Sequence, residues 1–318
     1  MNTLPNSVHI CEVGPRDGLQ IESVRLTLLQ KLDLIDRLAQ AGLREIEVGS
    51  FVNPRAVPQM ADTPELFQAL NKRMGVAYRA IWLNPQGLDR ALQAQTVDID
   101  AKLAITASET FVQRNTKRSI EDSLAEIPLW VARYREFGLN YGSLTVMAAF
   151  GCNFEGRIPE ERVIDLINRA SSIAADHGMP LESLCLADTM GWANPLQVKR
   201  MVGRVREKWP SIDVKLHLHD TRGCAVANAV AGLELGVRSF DAAVGGLGGC
   251  PFAGHQGASG NICTEDLVFA CEEMGIATDI DPNAIADTAR WLEGLLGHPL
   301  PGKVMKGGPL SLRSNSGC

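Results

Sequence analysis

The chain has 318 residues, 45% hydrophobic and 21% charged, which places it among folded globular proteins and excludes a disordered chain. With 31 basic against 37 acidic residues the net charge is -6, which argues against a general nucleic-acid or polyanion binder. No run approaches the roughly 18 unbroken apolar residues of a membrane span, and the Met1–Ser7 start lacks the basic and apolar parts of a secretory signal.

A cytoplasmic protein is therefore expected, with no membrane partner. The 8 cysteines, at positions 11, 152, 185, 224, 250, 263, 271 and 318, form no CxxC pair, and most read as reduced core thiols. Short β-branched runs recur along the chain: Val8–Val13, Glu45–Val48, Ala77–Leu83, Ala101–Thr106, Leu144–Ala148, Ser183–Leu186, Val214–His219 and Ser239–Ala243. Helix-period segments lie between them. Leu28–Ala41 carries Leu28, Leu32, Ile35 and Ala39 on one stripe, Thr27 and Gln30 form a capping box, and Gly42 stands at its C-terminal stop. A second helix spans Glu160–Ala175, and a third spans Glu265–Met274 with Thr264 as N-cap.

Eight strands alternating with helices predict an α/β chain with a parallel sheet closed as a (β/α)8 TIM barrel. The competing doubly wound sheet needs a glycine-rich phosphate turn after the first strand, and Gly14-Pro15-Arg16-Asp17-Gly18 is no GxGxxG. The barrel is assigned residues 1–280, and 281–318 a C-terminal helix and a flexible tail, loose from Pro299 onward.

Active sites of such barrels lie at the C-terminal strand ends, where unusual polar residues gather here. Arg16 and Asp17 follow strand 1, Glu47 sits in strand 2, Asp188 follows strand 6, and His217 and His219 end strand 7. Two histidines two apart on a strand project from the same face and can converge on one ion. Asp17 and Asn261 can add oxygen donors, a set that suits an octahedral divalent cation, Mg²⁺ or Mn²⁺. Asp220 is either a surface carboxylate or a partner steadying a histidine. Glu47 is a salt-bridge partner or a base, and Asp188 carries protons or orients Arg16. Arg16 beside an ion is what stabilises a developing enolate oxygen. Cys250 stands in Gly245–Gly257, where 6 glycines in 13 residues suggest backbone freedom and a thiol delivered as acid or base on closure. The residues alone thus point to a metal-assisted reaction through an enolate.

These segments resemble the 3-hydroxy-3-methylglutaryl-CoA lyase family, from Val13-Gly-Pro-Arg-Asp-Gly-Leu-Gln20 to Gly257-Ala-Ser-Gly-Asn-Ile-Cys-Thr-Glu-Asp-Leu267. Ser50-Phe-Val-Asn-Pro, Ala187-Asp-Thr-Met-Gly-Trp-Ala193 and His219-Asp-Thr also match, and Gly246-Leu-Gly-Gly-Cys-Pro-Phe-Ala is the most specific. The resemblance implies Asp17, His217, His219 and Asn261 as metal ligands, and Cys250, Arg16, Glu47, Asp188 and His217 as catalytic residues. It implies cleavage of a 3-hydroxyacyl-CoA to acetyl-CoA, with acetoacetate as the other product in the parent family. Gln20, Ser50 and Asn115 are expected to line the substrate, and Lys117 in the basic stretch Arg114–Arg118 to meet the CoA phosphates.

Three departures bear on acyl specificity: a slightly longer cysteine loop, Arg222 in place of an aromatic residue, and Ser23 in place of a lysine. Arg222 and His255 are expected to fit a different or shorter dicarboxylate, with citramalyl-CoA, which gives pyruvate, as a candidate. A 4-hydroxy-2-oxoacid aldolase would need neither CoA nor Cys250. An isopropylmalate-type acyltransferase would carry a further domain, and a binding module without activity would not retain the full ligand set. A homo-oligomer is compatible with the barrel reading, although no interface stripe singles one out.

Overall fold

A computed structural model describes residues 4–249 and 260–310. Eight parallel strands form the sheet: β1 (His9–Glu12), β2 (Glu45–Ser50), β3 (Ala77–Ile81), β4 (Lys102–Thr106), β5 (Gly142–Met147), β6 (Leu181–Ala187), β7 (Asp213–His217) and β8 (Ser239–Ala242). Their spatial order is β3-β2-β1-β8-β7-β6-β5-β4, the sequence order of a (β/α)8 barrel, with the ladder's ends at β3 and β4. Asp98, in the connection leading to β4, pairs with β3, giving its N–H to Tyr78 O and accepting the Tyr78 N–H and an Arg79 N–H.

The expected strands all form, because each carries apolar residues at period two on the face turned to the helices. On β7, Val214 and Leu216 are buried, and on β5 Leu144 and Val146. The intervening helices return matching stripes, such as Val163, Leu166, Ile167, Ala170 and Ala174 in the helix Glu160–Asp176. The helix Leu28–Gln40 opens on the Thr27–Gln30 capping box. Its buried stripe, however, is Lys31, Leu34, Ile35, Leu38 and Ala39, one position round from the expected one. Lys31 can go inside because its ammonium is held by Gln59 O and Asp62, both at 2.6 Å.

The faces turned to the barrel axis are charged, where branched apolar residues are usual. Lys102 on β4 reaches Glu47 on β2 at 3.8 Å, across strands that are not ladder neighbours. Arg79 lies 3.6 Å from Glu45, and Lys215 2.9 Å from Asp241. Such pairs add little net stability, but deleting one partner strands the other at a cost of about 3–5 kcal/mol. Cys11 and Cys185 line the same space, and all six described cysteines are free thiols.

Two expectations fail near the C-terminus. The helix begins at Thr264, not Glu265, and Thr264 is no N-cap: its hydroxyl donates to Glu12 Oε2 at 2.6 Å instead. The segment after Pro299 is not loose as far as it is described. Leu300 and Met305 are buried, and Asp266 accepts the Lys303 and Val304 N–H groups at 3.0 and 2.8 Å. The helix Pro282–Leu296 contributes Ile285, Ala289, Leu292 and Leu296 to the barrel's own core. Among the described residues no helix is long and apolar enough to cross a membrane.

Candidate active site

The site begins where β1 ends. Val13 O accepts the N–H groups of Arg16, Asp17 and Gly18 at 3.1, 2.7 and 3.3 Å, winding Gly14–Gly18 into one wide helical turn. Gly14 is required there, since a Cβ would stand 2.5 Å from Glu12 Oε1. Glu12 is fully buried and accepts the Gly14 and Val244 N–H groups, tying the first turn to the loop after β8. The turn presents Arg16 and Asp17 side by side. The Arg16 guanidinium donates to Glu47 through Nε and to Asp17 Oδ1 at 2.7 Å, and Gln20 Nε2 reaches the same Asp17 oxygen at 2.8 Å. Burial would raise the Asp17 pKa, but Arg16 and both histidines outweigh it and hold the carboxyl below its ordinary value.

Opposite this turn stand the two imidazoles. β7 ends at His217, so His219 is not on the strand as expected but two residues beyond it, in a single bridge to Asn261. Two residues apart, the rings share a side, with centroids 5.0 Å apart and the two Nε2 atoms 3.2 Å apart. Ligand atoms of Asp17, His217 and His219 all lie within 4.8 Å of one another. Asn261 is fully buried and donates Nδ2 to Asp17 Oδ2 at 2.7 Å and to Leu247 O at 3.0 Å, which leaves its Oδ1 buried without a hydrogen-bond partner.

A carboxylate, two imidazoles and an orphaned amide oxygen converge here, and that donor set fits a divalent cation with room for oxygen ligands. A buried carbonyl without a donor is costly unless something else meets it. Burial and the neighbouring His217 lower the His219 pKa to about 4, which keeps its ring neutral and able to coordinate. His217 goes the other way: burial lowers it, but Asp241 and Asp17 prevail and raise it.

The remaining candidates divide. Glu47 is Arg16's ion-pair partner. Asp188 does not orient Arg16. Its Oδ1 accepts the Trp192 and Ala193 N–H groups at 2.7 and 3.0 Å, its Oδ2 is buried without a partner, and burial raises its pKa to about 6. Ser50 is buried at the end of β2. Arg222 donates to Met190 O and Gly191 O at 3.1 and 2.8 Å and lies over the Trp192 ring, with a charge felt at Asp188.

Arg114–Arg118 is not a plain loop: the helix Glu109–Thr116 includes Asn115 and ends on Lys117 in the left-handed region. Arg114 stacks on Phe154 and Arg118 pairs with Glu126, which leaves Lys117 without an ion pair among the described residues. Cys250 and His255 lie outside the described residues. Gly245, Gly246 and Gly248 leave no room for a side chain. Gly248 holds φ +95°, and a Cβ there would stand 2.6 Å from Asn261 Nδ2.

Sequence reasoning missed three buried groups. Asp220, read as a surface carboxylate or a histidine's partner, is buried and accepts the Ala225 N–H at 2.9 Å where the helix Ala225–Leu233 begins. The carboxylate on His217 is Asp241, with Oδ2 at 3.2 Å from Nδ1. Its signal was the strand period, since Lys215 and His217 alternate with apolar residues beside Asp241 on β8. Glu12 and Glu265 form the other set. Glu265 accepts the Gly245 N–H at 3.0 Å, and burial raises it to about 8, as it raises Glu12 to about 7.

A carboxyl with a raised folded pKa holds its proton more tightly folded than unfolded. Its contribution is full below the unfolded value near 4.5 and is lost as pH rises to about 8. Glu265→Gln is therefore expected to flatten the fall in chelated-protein stability between pH 5 and 8, by an amount of order a few kcal/mol. Urea midpoints of wild type and variant at several pH values check this; parallel curves would refute it.

The HMGL-like family model matches residues 7–292, which include every described residue named in this site. The (R)-citramalyl-CoA lyase of Chloroflexus aurantiacus is 40% identical over 314 residues, covering 96% of each chain. The hydroxymethylglutaryl-CoA lyase of Bacillus subtilis is 37% identical over 306 residues, covering 95% of this chain and 97% of that protein. An HMG-CoA lyase from Acinetobacter baumannii, solved in complex with coenzyme A and 3-methylmalate, aligns with a TM-score of 0.86 at 39% identity and covers 98% of both chains. Fold and sequence agree, and the chain belongs to the HMGL-like family.

Proposed function

We propose that the protein is a divalent-cation-dependent carbon–carbon lyase acting on a 3-hydroxy-3-methylacyl-CoA. The observation that carries this reading is the convergence of Asp17, His217 and His219 within 4.8 Å, beside the unpartnered Asn261 oxygen and the Arg16 guanidinium. A Mg²⁺ or Mn²⁺ ion held by these four residues would act as Lewis acid on the tertiary hydroxyl and orient the acyl chain.

The reaction is a retro-Claisen cleavage. The hydroxyl proton passes to a base, the C3 oxygen becomes a carbonyl, and the C2–C3 electron pair moves into the thioester as an enolate. Asp188, with a carboxyl raised to about 6, is the group suited to take that proton near neutral pH. Arg16, fixed by Glu47 and Asp17, faces the developing enolate oxygen with a cation that need not reorganise. Protonation at C2 releases acetyl-CoA and is assigned to the Cys250 thiol, while His217, whose ring nitrogens serve Asp241 and the cation, contributes as a ligand. Gln20 and Ser50 line the acyl site, and Asn115 and Lys117 meet the CoA portion.

Hydroxymethylglutaryl-CoA would yield acetoacetate beside acetyl-CoA. Citramalyl-CoA, yielding pyruvate, is the second reading. It is favoured by the 40% identity to a citramalyl-CoA lyase and by the clamped Arg222 guanidinium facing the Asp188 side of the site, placed to meet a shorter substrate's carboxylate. Incubation with both thioesters and with free 4-hydroxy-2-oxoacids, in Mg²⁺ with and without EDTA, tests the proposal. Acetyl-CoA release that EDTA abolishes is expected, and the co-product identifies the acyl group. Turnover of the free oxoacids alone would overturn it in favour of an aldolase.

A further inference from the structure

His217 Nδ1 faces one group, the Oδ2 of Asp241 at 3.2 Å, while its Nε2 faces His219. The pairing follows from the sheet: His217 on β7 and Asp241 on β8 are register partners, so their side chains leave adjacent strands toward the barrel axis together. The other carboxylate oxygen, Oδ1, is held by Lys215 Nζ at 2.9 Å, two residues before His217 on the same face. With both oxygens engaged, the carboxylate cannot turn away. Asp220 accepts the Ala225 N–H on Oδ1 and Lys303 on Oδ2, and Asp188 accepts the Trp192 and Ala193 N–H groups on Oδ1, and neither is hydrogen-bonded to the His217 ring.

We propose that Asp241, held by Lys215, is a positioning residue for the cation site: it accepts the Nδ1–H of His217 and thereby leaves the Nε2 lone pair free toward Asp17 and His219. The inference rests on reading Asp17, His217, His219 and Asn261 as the ligands. An imidazole presents one bare nitrogen when neutral, and the hydrogen bond at the other nitrogen decides which one. Without an acceptor at Nδ1, the proton is free to occupy Nε2, where it blocks coordination.

His219 has no such carboxylate behind it among the described residues and meets the Thr189 backbone instead, so the two imidazoles are not equivalent. An anion behind His217 makes it the more basic donor of the pair. Lys215 keeps Oδ1 occupied, so that Oδ2 alone meets the ring. It also sets the outcome of an amide substitution. In Asp241→Asn the amide oxygen turns to the Lys215 ammonium, and its NH₂ group confronts Nδ1 as a second donor, forcing the ring to the opposite tautomer.

The test uses chelated full-length protein. Binding of Mn²⁺ is read from the free-ion EPR signal, and the His217 tautomer from ¹⁵N NMR of histidine-labelled protein at alkaline pH, assigned by loss of the signal in His217→Gln. Asp241→Asn is expected to weaken Mn²⁺ binding about 10–100-fold and to move the His217 proton from Nδ1 to Nε2. Lys215→Met/Asp241→Leu, an uncharged pair of similar bulk, gives the same loss without stranding a buried lysine, should the single variant fold poorly. Mn²⁺ affinity within twofold of wild type in either folded variant, or a tautomer unchanged in Asp241→Asn, overturns the proposal. Failure of wild type itself to bind Mn²⁺ would instead sink the ligand reading, and the tautomer would still judge the Asp241 contact.

Discussion

Arg16→Gln is expected to lower kcat by about 10²–10³-fold while leaving Mn²⁺ affinity unchanged or slightly tighter. The guanidinium is a fixed cation with 14% of its side chain accessible, fastened to Glu47 and Asp17. In the proposed chemistry it meets negative charge as that charge appears on the thioester oxygen, so the loss falls on kcat rather than on KM. Glutamine cannot supply the charge. Arg16→Lys supplies it but loses the planar fork that holds both carboxylates, so only partial recovery is expected. Stability should fall too, by about 3–5 kcal/mol, because Glu47 is left with only the more distant Lys102 at 3.8 Å. Steady-state kinetics on the accepted thioester, with urea unfolding alongside, separate the two effects. A rise in KM at constant kcat would mean that Arg16 only binds substrate.

Much of the barrel was legible because its signals are local. β-branched runs, a capping box and the turn at Gly42 are properties of neighbouring residues, and the strands form where those runs lie. Arg16, Asp17 and the histidine pair were legible for a related reason: polar residues at strand ends stand out against apolar strands. What was not legible depends on which strands lie side by side. Asp241 is 24 positions from His217 in sequence and meets it only through the β7–β8 register. Sequence proximity offered Asp220 as one possible partner, and that residue accepts a backbone N–H at a helix start. Thr264 has the chemistry of an N-cap, yet a buried Glu12 more than two hundred residues away takes its hydroxyl. The stripe on Leu28–Gln40 shifted because Lys31, a residue no hydrophobic pattern would place inside, finds two acceptors there. The glycines before Cys250 look alike in sequence whether they permit motion or close contact, and for Gly248 only the position of Asn261 shows the latter.

Asp17→Asn should produce the complementary phenotype, a loss of cation binding larger than the roughly 10–100-fold expected of an outer partner, with activity falling alongside it. The native carboxylate accepts from three donors: Arg16 and Gln20 on Oδ1, at 2.7 and 2.8 Å, and Asn261 on Oδ2 at 2.7 Å. An amide has one accepting oxygen. Whichever way it turns, its NH₂ group meets a donor, either Arg16 with Gln20 or Asn261. The Asn261 contact matters beyond its own strength, because it fixes the amide whose other end, Oδ1, stands buried without a donor. Asp17→Asn thus removes a negative ligand and loosens a neutral one in a single step. Excess Mn²⁺ should recover part of the activity of Asp17→Asn and none of that lost in Arg16→Gln. Titrating both variants with Mn²⁺ under the same assay decides it, and recovery of both, or of neither, would show that the two neighbours do not divide binding and chemistry between them.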